Sequence, residues 1–299
     1  MINPNHFDLQ SLRVFLQVAQ TGSLTKAAEK SHMTLSALSK RIAELERIAD
    51  CALFVRLPRG LELTPAGVEL IHHARSVLNS VARMADAMGD FAIGVRGHVR
   101  IWANTSAITQ FLPRDLATFG REQPLIRISL EEKLSEQVIS AIASGEADIG
   151  IFADNVPSVG LEKYLYRQDH LVLVVPADHP LATLDQVSFA ETLDYDFVGL
   201  NQGSSLLQRL NDAAGALERT MRLRIQVSSF DAMCRMIEAG LGIGVLPDGA
   251  VRIAVTGLRA IPLSDPWALR SLWLGVRATA ALMPEAVKLL DHLRHASTN

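Results

Sequence analysis

Side chains able to contact nucleic acid cluster between residues 34 and 41. Leu38, Ile42 and Leu45 recur at helical spacing and predict the buried face of a helix that Thr34 would cap. The opposite face carries small, hydroxyl and cationic side chains: Ser36, Ser39, Lys40 and Ala43, with Arg41 at its edge. Hydroxyl groups form hydrogen bonds with base edges and cations attract phosphates, so this face predicts a helix that lies in a DNA groove.

Two shorter helical patterns must hold this helix in place. Apolar residues at three- and four-residue spacing predict a first helix that ends at Gly22. Ser23 would cap a second helix, in which Ala27–Ala28 is small enough for other helices to pack closely. The order helix, turn, helix is typical of a helix-turn-helix, whose second helix meets the bases.

The residues that follow predict a two-stranded wing. Leu53–Arg56 and Leu61–Leu63 have the pattern of short strands around a turn at Pro58–Gly60. Arg56 and Arg59 would flank the DNA backbone. Residues 1–65 are therefore expected to form a mainly α winged helix-turn-helix domain.

This region resembles the DNA-binding region of the LysR-type transcriptional regulators. The family's elements occur in order, as an Ala-Ala pair, a Ser-rich recognition helix, a Leu-Glu pair, a Leu-Phe-x-Arg strand and a Leu-Thr-x-Ala-Gly helix start: Ala27–Ala28, Ser36–Ser39, Leu45–Glu46, Leu53–Arg56 and Leu63–Gly67. Where the family often has Ser-Gln-Pro, this chain has Thr34-Leu35-Ser36, so a glutamine that could bond adenine is absent. Leu35 would contact a thymine methyl or pack within the protein. The expected DNA-contacting residues are Ser23, Thr25, Lys26, Thr34, Leu35, Ser36, Ser39, Lys40, Arg41, Arg56 and Arg59.

Composition fits a multidomain protein with sizeable cores. The chain has 299 residues, of which 48% are hydrophobic and 20% are charged, and its net charge is -3. Residues 1–65 hold eight Lys and Arg against six Asp and Glu, a local charge of +2. Attraction to phosphate must therefore come from the placement of individual cations rather than from bulk charge.

The two cysteines, Cys51 and Cys234, are far apart and have no metal-ligand spacing. We expect free thiols in a reducing cytoplasm, and no cofactor or metal. The adjacent histidines His72–His73 are not four residues apart, so a metal site on that helix is not expected. The N-terminus lacks an export signal and no apolar run reaches bilayer length, so we expect a cytoplasmic protein that does not span a membrane.

A long helix is predicted from Pro65 to about Ile93, with residues 66–93 acting as a linker. Two apolar columns repeat every seven residues along it: Ile71, Leu78 and Ala85, and Ala74, Val81 and Met88. This pattern suits either a partner helix in a dimer or packing on the helix's own domain. The family resemblance implies that the helix pairs two subunits. Gly89, Gly94 and Gly97 would then mark a hinge before the next domain.

From residue 94 to residue 299 strands alternate with helices, which predicts an α/β domain. The first strands are Val99–Ala103, Ile126–Glu131 and Ile149–Phe152, with helices Ile108–Gly120 and Glu136–Ala143 between them. This order predicts a largely parallel sheet. A second set begins with Leu171–Val175. We expect two Rossmann-like lobes, lobe I from about 94–167 with 265–299 and lobe II from about 168–264, with a ligand cleft between them.

This region resembles the effector-binding domain of the same family, which is similar in fold to type 2 periplasmic binding proteins. The matching pieces are Phe111–Pro113, Ser144–Gly150, Pro176–Leu181 and Gly240–Pro247. Helix N-termini that carry hydroxyl residues would present free backbone amides to an anion, which favours a small organic or aromatic acid as effector. Each such residue also has the simpler interpretation of a helix cap or core residue. The expected effector-binding residues are Thr105, Ser106, Ser135, Phe152, Ala153, Asn201, Ser204, Ser228 and Phe230.

Enzyme motifs are missing from the sequence. Gly240-x-Gly242-x-Gly244 has the wrong spacing for a dinucleotide fingerprint, and there is no Walker loop, nucleophile elbow or zinc-protease motif. We therefore expect a ligand-responsive transcriptional regulator and not an enzyme. Its expected partners are double-stranded DNA with an inverted-repeat operator, a small-molecule effector, and a homodimer or homotetramer mate, and RNA polymerase is a further partner that the resemblance allows. The alternative is a small-molecule binding protein or enzyme whose N-terminal helices only dimerise it.

Overall fold

The computed structural model describes residues 2–58, 60–92, 96–251 and 257–296. The chain divides into two compact units, residues 1–93 with 144–146, and residues 94–143 with 147–299. Arg59, one of the expected DNA contacts, and Ile93 and Gly94, at the expected domain boundary, lie outside the described residues.

Side-chain caps begin the three helices of the first unit, which are α1 (Leu9–Thr21), α2 (Leu24–Lys30) and α3 (Leu35–Ala49). Asp8, Ser23 and Thr34 precede these helices, and each accepts a backbone N–H from the first turn at 2.9, 3.4 and 3.3 Å. These bonds satisfy amides that have no partner inside a helix. The caps expected at Ser23 and Thr34 are present in the structure.

A hairpin and a long helix complete this unit. β1 (Phe54–Leu57) pairs antiparallel with β2 (Gly60–Leu63), and α4 (Pro65–Ala92) follows. Phe15 on α1 and Phe54 on β1 pack with ring centroids 5.3 Å apart, and Ala27 is fully buried beneath the neighbouring helices. The core of the unit therefore joins the three helices to the hairpin.

Only part of the apolar surface of α4 is used inside its own unit. Ala74 is 1% exposed, and Ile71 and Leu78 pack against the same core. Val77, Met84 and Met88 are 44%, 61% and 61% exposed. With the half-buried Val81, these three residues follow the alternating four- and three-residue spacing of a coiled-coil seam. Ile71 and Leu78 of the first expected column thus serve the domain itself. In the second expected column Ala74 is buried, whereas Val81 and Met88 join Val77 and Met84 in the exposed stripe.

The second unit alternates strands and helices. Its strands are β3 (His98–Ala103), β4 (Arg127–Glu132), β5 (Ile149–Ala153), β6 (Glu162–Pro176), β7 (Asp196–Leu200), β8 (Arg222–Val227), β9 (Gly244–Pro247), β10 (Leu258–Pro262) and β11 (Leu269–Val276). Its α-helices are α5 (Thr105–Gln110), α6 (Leu112–Glu122), α7 (Ser135–Ser144), α8 (Phe189–Thr192), α9 (Ser205–Ala216), α10 (Phe230–Glu238), α11 (Asp248–Val251) and α12 (Pro284–Ala296).

β6 is the strand around which this unit is organised. The main sheet has the order β10-β6-β11-β5-β3-β4, and β9 also pairs with β6. Residues 162–170 of β6 pair with β11, whereas residues 171–176 pair with β9 and β10. Tyr166 lies in one hydrophobic core and Leu171 begins a second one. The unit therefore has two lobes, a first lobe built on β3, β4, β5 and β11 and a second lobe built on β9 and β10 with the β7–β8 pair.

Two details differ from the sequence-based expectation. β3 is parallel to β4 and β5, but β6 is antiparallel to β9, β10 and β11, so the sheet is mixed rather than largely parallel. The helix expected over Ile108–Gly120 is divided at Phe111, whose φ and ψ are -122° and -50°. Pro113 lies in the first turn of α6, where its missing N–H and fixed φ favour a new helix start.

Within the residues that the structure describes, no helix is long and apolar enough to cross a membrane. No group of three His, Cys, Asp or Glu side chains in these ranges has an arrangement that could hold a metal ion. Cys51 is exposed and Cys234 is buried, and burial raises the pKa of the Cys234 thiol.

A buried ion pair lies where β6 passes from one core to the other. Asp169 on β6 and Arg270 on β11 are register partners, and their side chains are 5% and 1% exposed. Arg270 donates to both carboxylate oxygens at 2.5 and 2.7 Å and to Ser106 Oγ at 2.7 Å. Gln110 adds a donor to Asp169 at 2.7 Å. The pair and its two α5 partners thus tie α5 to β6 and β11.

We predict that Asp169→Ala lowers the free energy of unfolding by about 3–5 kcal/mol, because it leaves the Arg270 charge buried without a partner. Urea denaturation of the full chain measures this change. The matched control is Asp196→Ala, which breaks an exposed pair with Arg224 at 3.5 Å and should cost about 0–1 kcal/mol. Equal losses in the two variants would contradict the role assigned to the buried pair.

Candidate functional site

The exposed face of α3 begins directly after a tight turn. His32 adopts a positive φ of 51° between α2 and α3, which reverses the chain within a few residues. Leu38, Ile42 and Leu45 are buried, as the periodicity predicts. Leu35 is 48% exposed, so its side chain is available to a partner rather than packed in the core. The remaining expected contacts at this surface are exposed or half-buried: Ser23, Thr25, Lys26, Thr34, Ser36, Ser39, Lys40, Arg41 and Arg56.

Arg41 has partners within the protein. Its Nη1 donates to Asp8 Oδ1 and Oδ2 at 3.1 and 3.3 Å and to Ser11 Oγ at 3.1 Å. Burial opposes ionisation of Asp8, but the hydrogen bonds from Ser11 and the charge of Arg41 outweigh it and hold the pKa of Asp8 below its ordinary value. Arg41 therefore links α3 to the start of α1, and its guanidinium is partly neutralised.

Glu46 connects α3 to the hairpin. Its Oε1 accepts the backbone N–H groups of Leu53 and Phe54 at 2.8 and 3.2 Å. Thr64 then donates its hydroxyl to Ala52 O at 2.7 Å and accepts Gly67 N–H at 3.0 Å. These bonds explain the Leu-Glu pair and the Leu-Thr-x-Ala-Gly segment physically, since they fix the hairpin between α3 and α4.

Two glycines let the hairpin approach α1. Gly22 ends α1 with φ 60°, and its carbonyl accepts Leu61 N–H at 2.9 Å. A Cβ at Gly60, whose φ is 124°, would lie 2.7 Å from Gly22 O. Any side chain at position 60 would therefore push the wing away from α1, and the position of Arg56 depends on this contact.

A small polar pocket lies between the two lobes of the second unit, with a volume of about 30 Å³. The starts of α5, α7 and α9 meet there, and the pocket brings together five of the expected effector residues: Thr105, Ser106, Ser135, Asn201 and Ser204. It is also lined by residues that sequence reasoning did not select: Asn104, Lys133, Leu134, Leu200, Ser205 and Leu206. Asn104 caps α5 by accepting Ala107 N–H, a signal that the sequence did contain.

The direction of the hydrogen bonds around this pocket leaves donor groups available in it. Arg270 can only donate, so Ser106 Oγ accepts from it and the serine proton remains available to another acceptor. Ser204 precedes α9 and is 7% exposed, and its side chain does not cap the helix. Lys133 adds a cation at the rim, where it also pairs with Glu131 at 3.1 Å. These groups suit a ligand that presents acceptor oxygens, such as a carboxylate.

The other expected effector residues lie elsewhere. Phe152 is 1% exposed and packs in a hydrophobic cluster under α7, while Ala153 reaches the site only through its backbone N–H, which donates to Ser135 Oγ at 3.3 Å. Phe230 is buried in the core of the second lobe, and Ser228 is exposed. None of these four side chains lines the pocket.

Two family models match this chain. Residues 9–68 match a bacterial regulatory helix-turn-helix protein of the lysR family, and residues 92–298 match a LysR substrate binding domain. The RuBisCO operon transcriptional regulator of Allochromatium vinosum is 29% identical over 258 residues, which cover 86% of this chain and 85% of that protein. The nitrogen assimilation regulatory protein nac of Klebsiella aerogenes is 29% identical, over 93% and 92% of the two chains.

Solved structures share the fold. CbnR, described as a LysR family transcriptional regulator, superposes with a TM-score of 0.68 at 18% identity, over 98% of this chain and 100% of that one. The CcmR regulatory domain of Synechocystis, solved in complex with 2-PG, has a TM-score of 0.63 at 23% identity and covers 68% of this chain and 99% of its own.

We predict that Glu46→Ala destabilises the first unit by about 2 kcal/mol, because two hydrogen bonds to a charged acceptor are lost. Hydrogen exchange at Leu53 and Phe54 should accelerate in this variant. Glu44→Ala is the matched control, since Glu44 lies on the same helix and its ion pair with Arg47 is exposed. Unchanged exchange at the hairpin in Glu46→Ala would overturn this assignment.

Proposed function

Because the chain belongs to the LysR family of bacterial helix-turn-helix regulators, we propose that it controls transcription in response to a small organic or aromatic acid bound between its two lobes. The chain is a transcriptional regulator and not an enzyme, as are the relatives that it matches. The observation that carries the proposed effector chemistry is the meeting of the starts of α5, α7 and α9 at one pocket, where the Ser204 hydroxyl makes no capping bond to α9.

The proposed DNA contacts divide into two kinds. Lys40 and Arg56 are exposed cations and would bind phosphates. Ser36 and Ser39 would approach base edges, and Leu35 would contact a thymine methyl. Serine hydroxyls bond most bases, so DNA shape supplies part of the specificity.

Dimerisation would place two recognition helices on one operator. The exposed stripe of Val77, Val81, Met84 and Met88 on α4 supports a helix-to-helix contact between subunits. A two-fold arrangement pairs the helices with an inverted repeat. Effector binding would act by favouring one arrangement of the subunits over another.

The salt dependence of DNA affinity reports how many phosphates the protein contacts. Lys40→Ala and Arg56→Ala should each lower the slope of log affinity against log salt by about one per subunit, because each removes a phosphate contact. Arg41→Ala should change the slope less, since Arg41 is paired with Asp8. Fluorescence anisotropy with operator DNA measures these slopes. Arg47→Ala is the control, because Arg47 lies in the last turn of α3 and pairs with Glu44, and slopes that stay at the wild-type value in all variants would remove the proposed DNA face.

The dimer prediction concerns α4. Replacing Met84 and Met88 together by glutamate should weaken self-association at least tenfold, because charges would enter an apolar seam. Sedimentation of the full chain reports the change. Val68→Glu is the control, since Val68 is 49% exposed on the same helix but lies off the stripe. Equal weakening by the control, or none by the double variant, would argue against this seam.

The effector prediction uses thermal stability. Aliphatic and aromatic carboxylates are tested on the full chain, and a binder present at a hundredfold its Kd should stabilise it by about 2.7 kcal/mol. Ser204→Ala and Ser106→Ala should reduce that stabilisation, whereas Ser228→Ala, outside the pocket, should leave it intact. If no carboxylate stabilises the chain, the proposed effector class is wrong.

A further inference from the structure

The two lobes touch each other directly at one side of the pocket. Leu134, just before α7 in the first lobe, packs on Gly203, just before α9 in the second. Asn155 of the first lobe donates to Ser205 O at 2.9 Å, and the hydroxyl groups of Ser135 and Ser205 are 3.4 Å apart. These contacts join the helix starts that form the pocket.

Gly203 is the residue that permits this approach. Its φ is 84°, a conformation that favours glycine, and a Cβ there would lie 2.7 Å from Leu134 Cδ1. The leucine therefore occupies the space that any side chain at position 203 would need. Removing either feature changes how closely the lobes can meet.

An ion pair reinforces the same edge. Arg209 on α9 pairs with Asp154, which follows β5, and their side chains are 13% and 30% exposed. Asp154 also accepts Ser271 N–H at 3.2 Å, and Arg209 donates to Trp267 O at 3.4 Å. These additional bonds hold the Arg209 and Asp154 side chains in place. Partial burial of the two side chains reduces the screening of their attraction by solvent.

The pocket inside these contacts is too small for an organic acid. Its volume of about 30 Å³ holds roughly two water molecules. A ligand with a carbon skeleton can enter only when the lobes separate, and separation must break the Leu134–Gly203 contact and the Asp154–Arg209 pair.

We propose that Leu134, Gly203, Asp154 and Arg209 form a latch that regulates access to the cleft. The proposal rests on the proposed effector function and adds its regulation. The fraction of molecules with the latch open scales the apparent affinity, because a ligand that binds only the open state has its Kd divided by that fraction. The latch therefore sets the effector concentration to which the regulator responds.

Hydrogen exchange on the full chain without ligand tests the latch. The amides at the starts of α7 and α9 have no helical partners, so their exchange reports access of water to the pocket. Leu134→Ala and Arg209→Ala should each accelerate exchange in residues 135–137 and 205–207 at least threefold. Arg219→Ala is the matched control, since Arg219 pairs with Asp194 inside the second lobe, and it should leave both segments unchanged.

Exchange in β6 must stay at the wild-type rate, which shows that the variants remain folded. Arg209→Lys, which keeps the charge, should accelerate exchange less than Arg209→Ala. If neither segment accelerates in Leu134→Ala or in Arg209→Ala, or if Arg219→Ala has the same effect, the latch is refuted. Failure of the effector function is distinguishable, because it would appear as a lack of stabilisation by every carboxylate while the latch variants still accelerate exchange.

Discussion

The Asp169–Arg270 ion pair is the interaction on which the architecture of the α/β unit depends. It joins β6 to β11 where β6 leaves one hydrophobic core and enters the other. Two charges taken out of water require several strong hydrogen bonds, and Ser106 and Gln110 of α5 complete the set. The same pair thus orients Ser106, which lines the proposed effector pocket. The junction of the lobes and the proposed ligand site share one polar network.

The winged helix-turn-helix could be predicted from sequence because its determinants are local. Ser23 and Thr34 cap helices within three residues, and buried positions on α3 follow helical spacing. The pairing of Arg41 with Asp8 is 33 positions apart and cannot be read from either neighbourhood. A cation that looks available in sequence is therefore partly committed in the fold.

The residues that line the proposed effector pocket could be predicted only in part, for the same reason. Hydroxyl residues at helix starts identified Ser106, Ser135 and Ser204, since capping positions are recognisable in a sequence. Whether Phe152 and Phe230 lie in a core or in a pocket depends on how the helices cover the sheet. The residue types at the ends of strands do not specify that packing. The seam on α4 shows a similar limit, because heptad spacing does not reveal which column packs on the helix's own domain.

The pairing of Arg41 with Asp8 lowers the positive charge on the surface of α3 that is proposed to bind DNA. With this cation partly neutralised, we expect one winged helix-turn-helix domain by itself to attract the phosphate backbone weakly. Weak attraction to arbitrary sequence shortens each encounter with the wrong stretch of genome. We therefore expect more of the search to be free diffusion and less of it sliding, and residence to be longest where two subunits bind together.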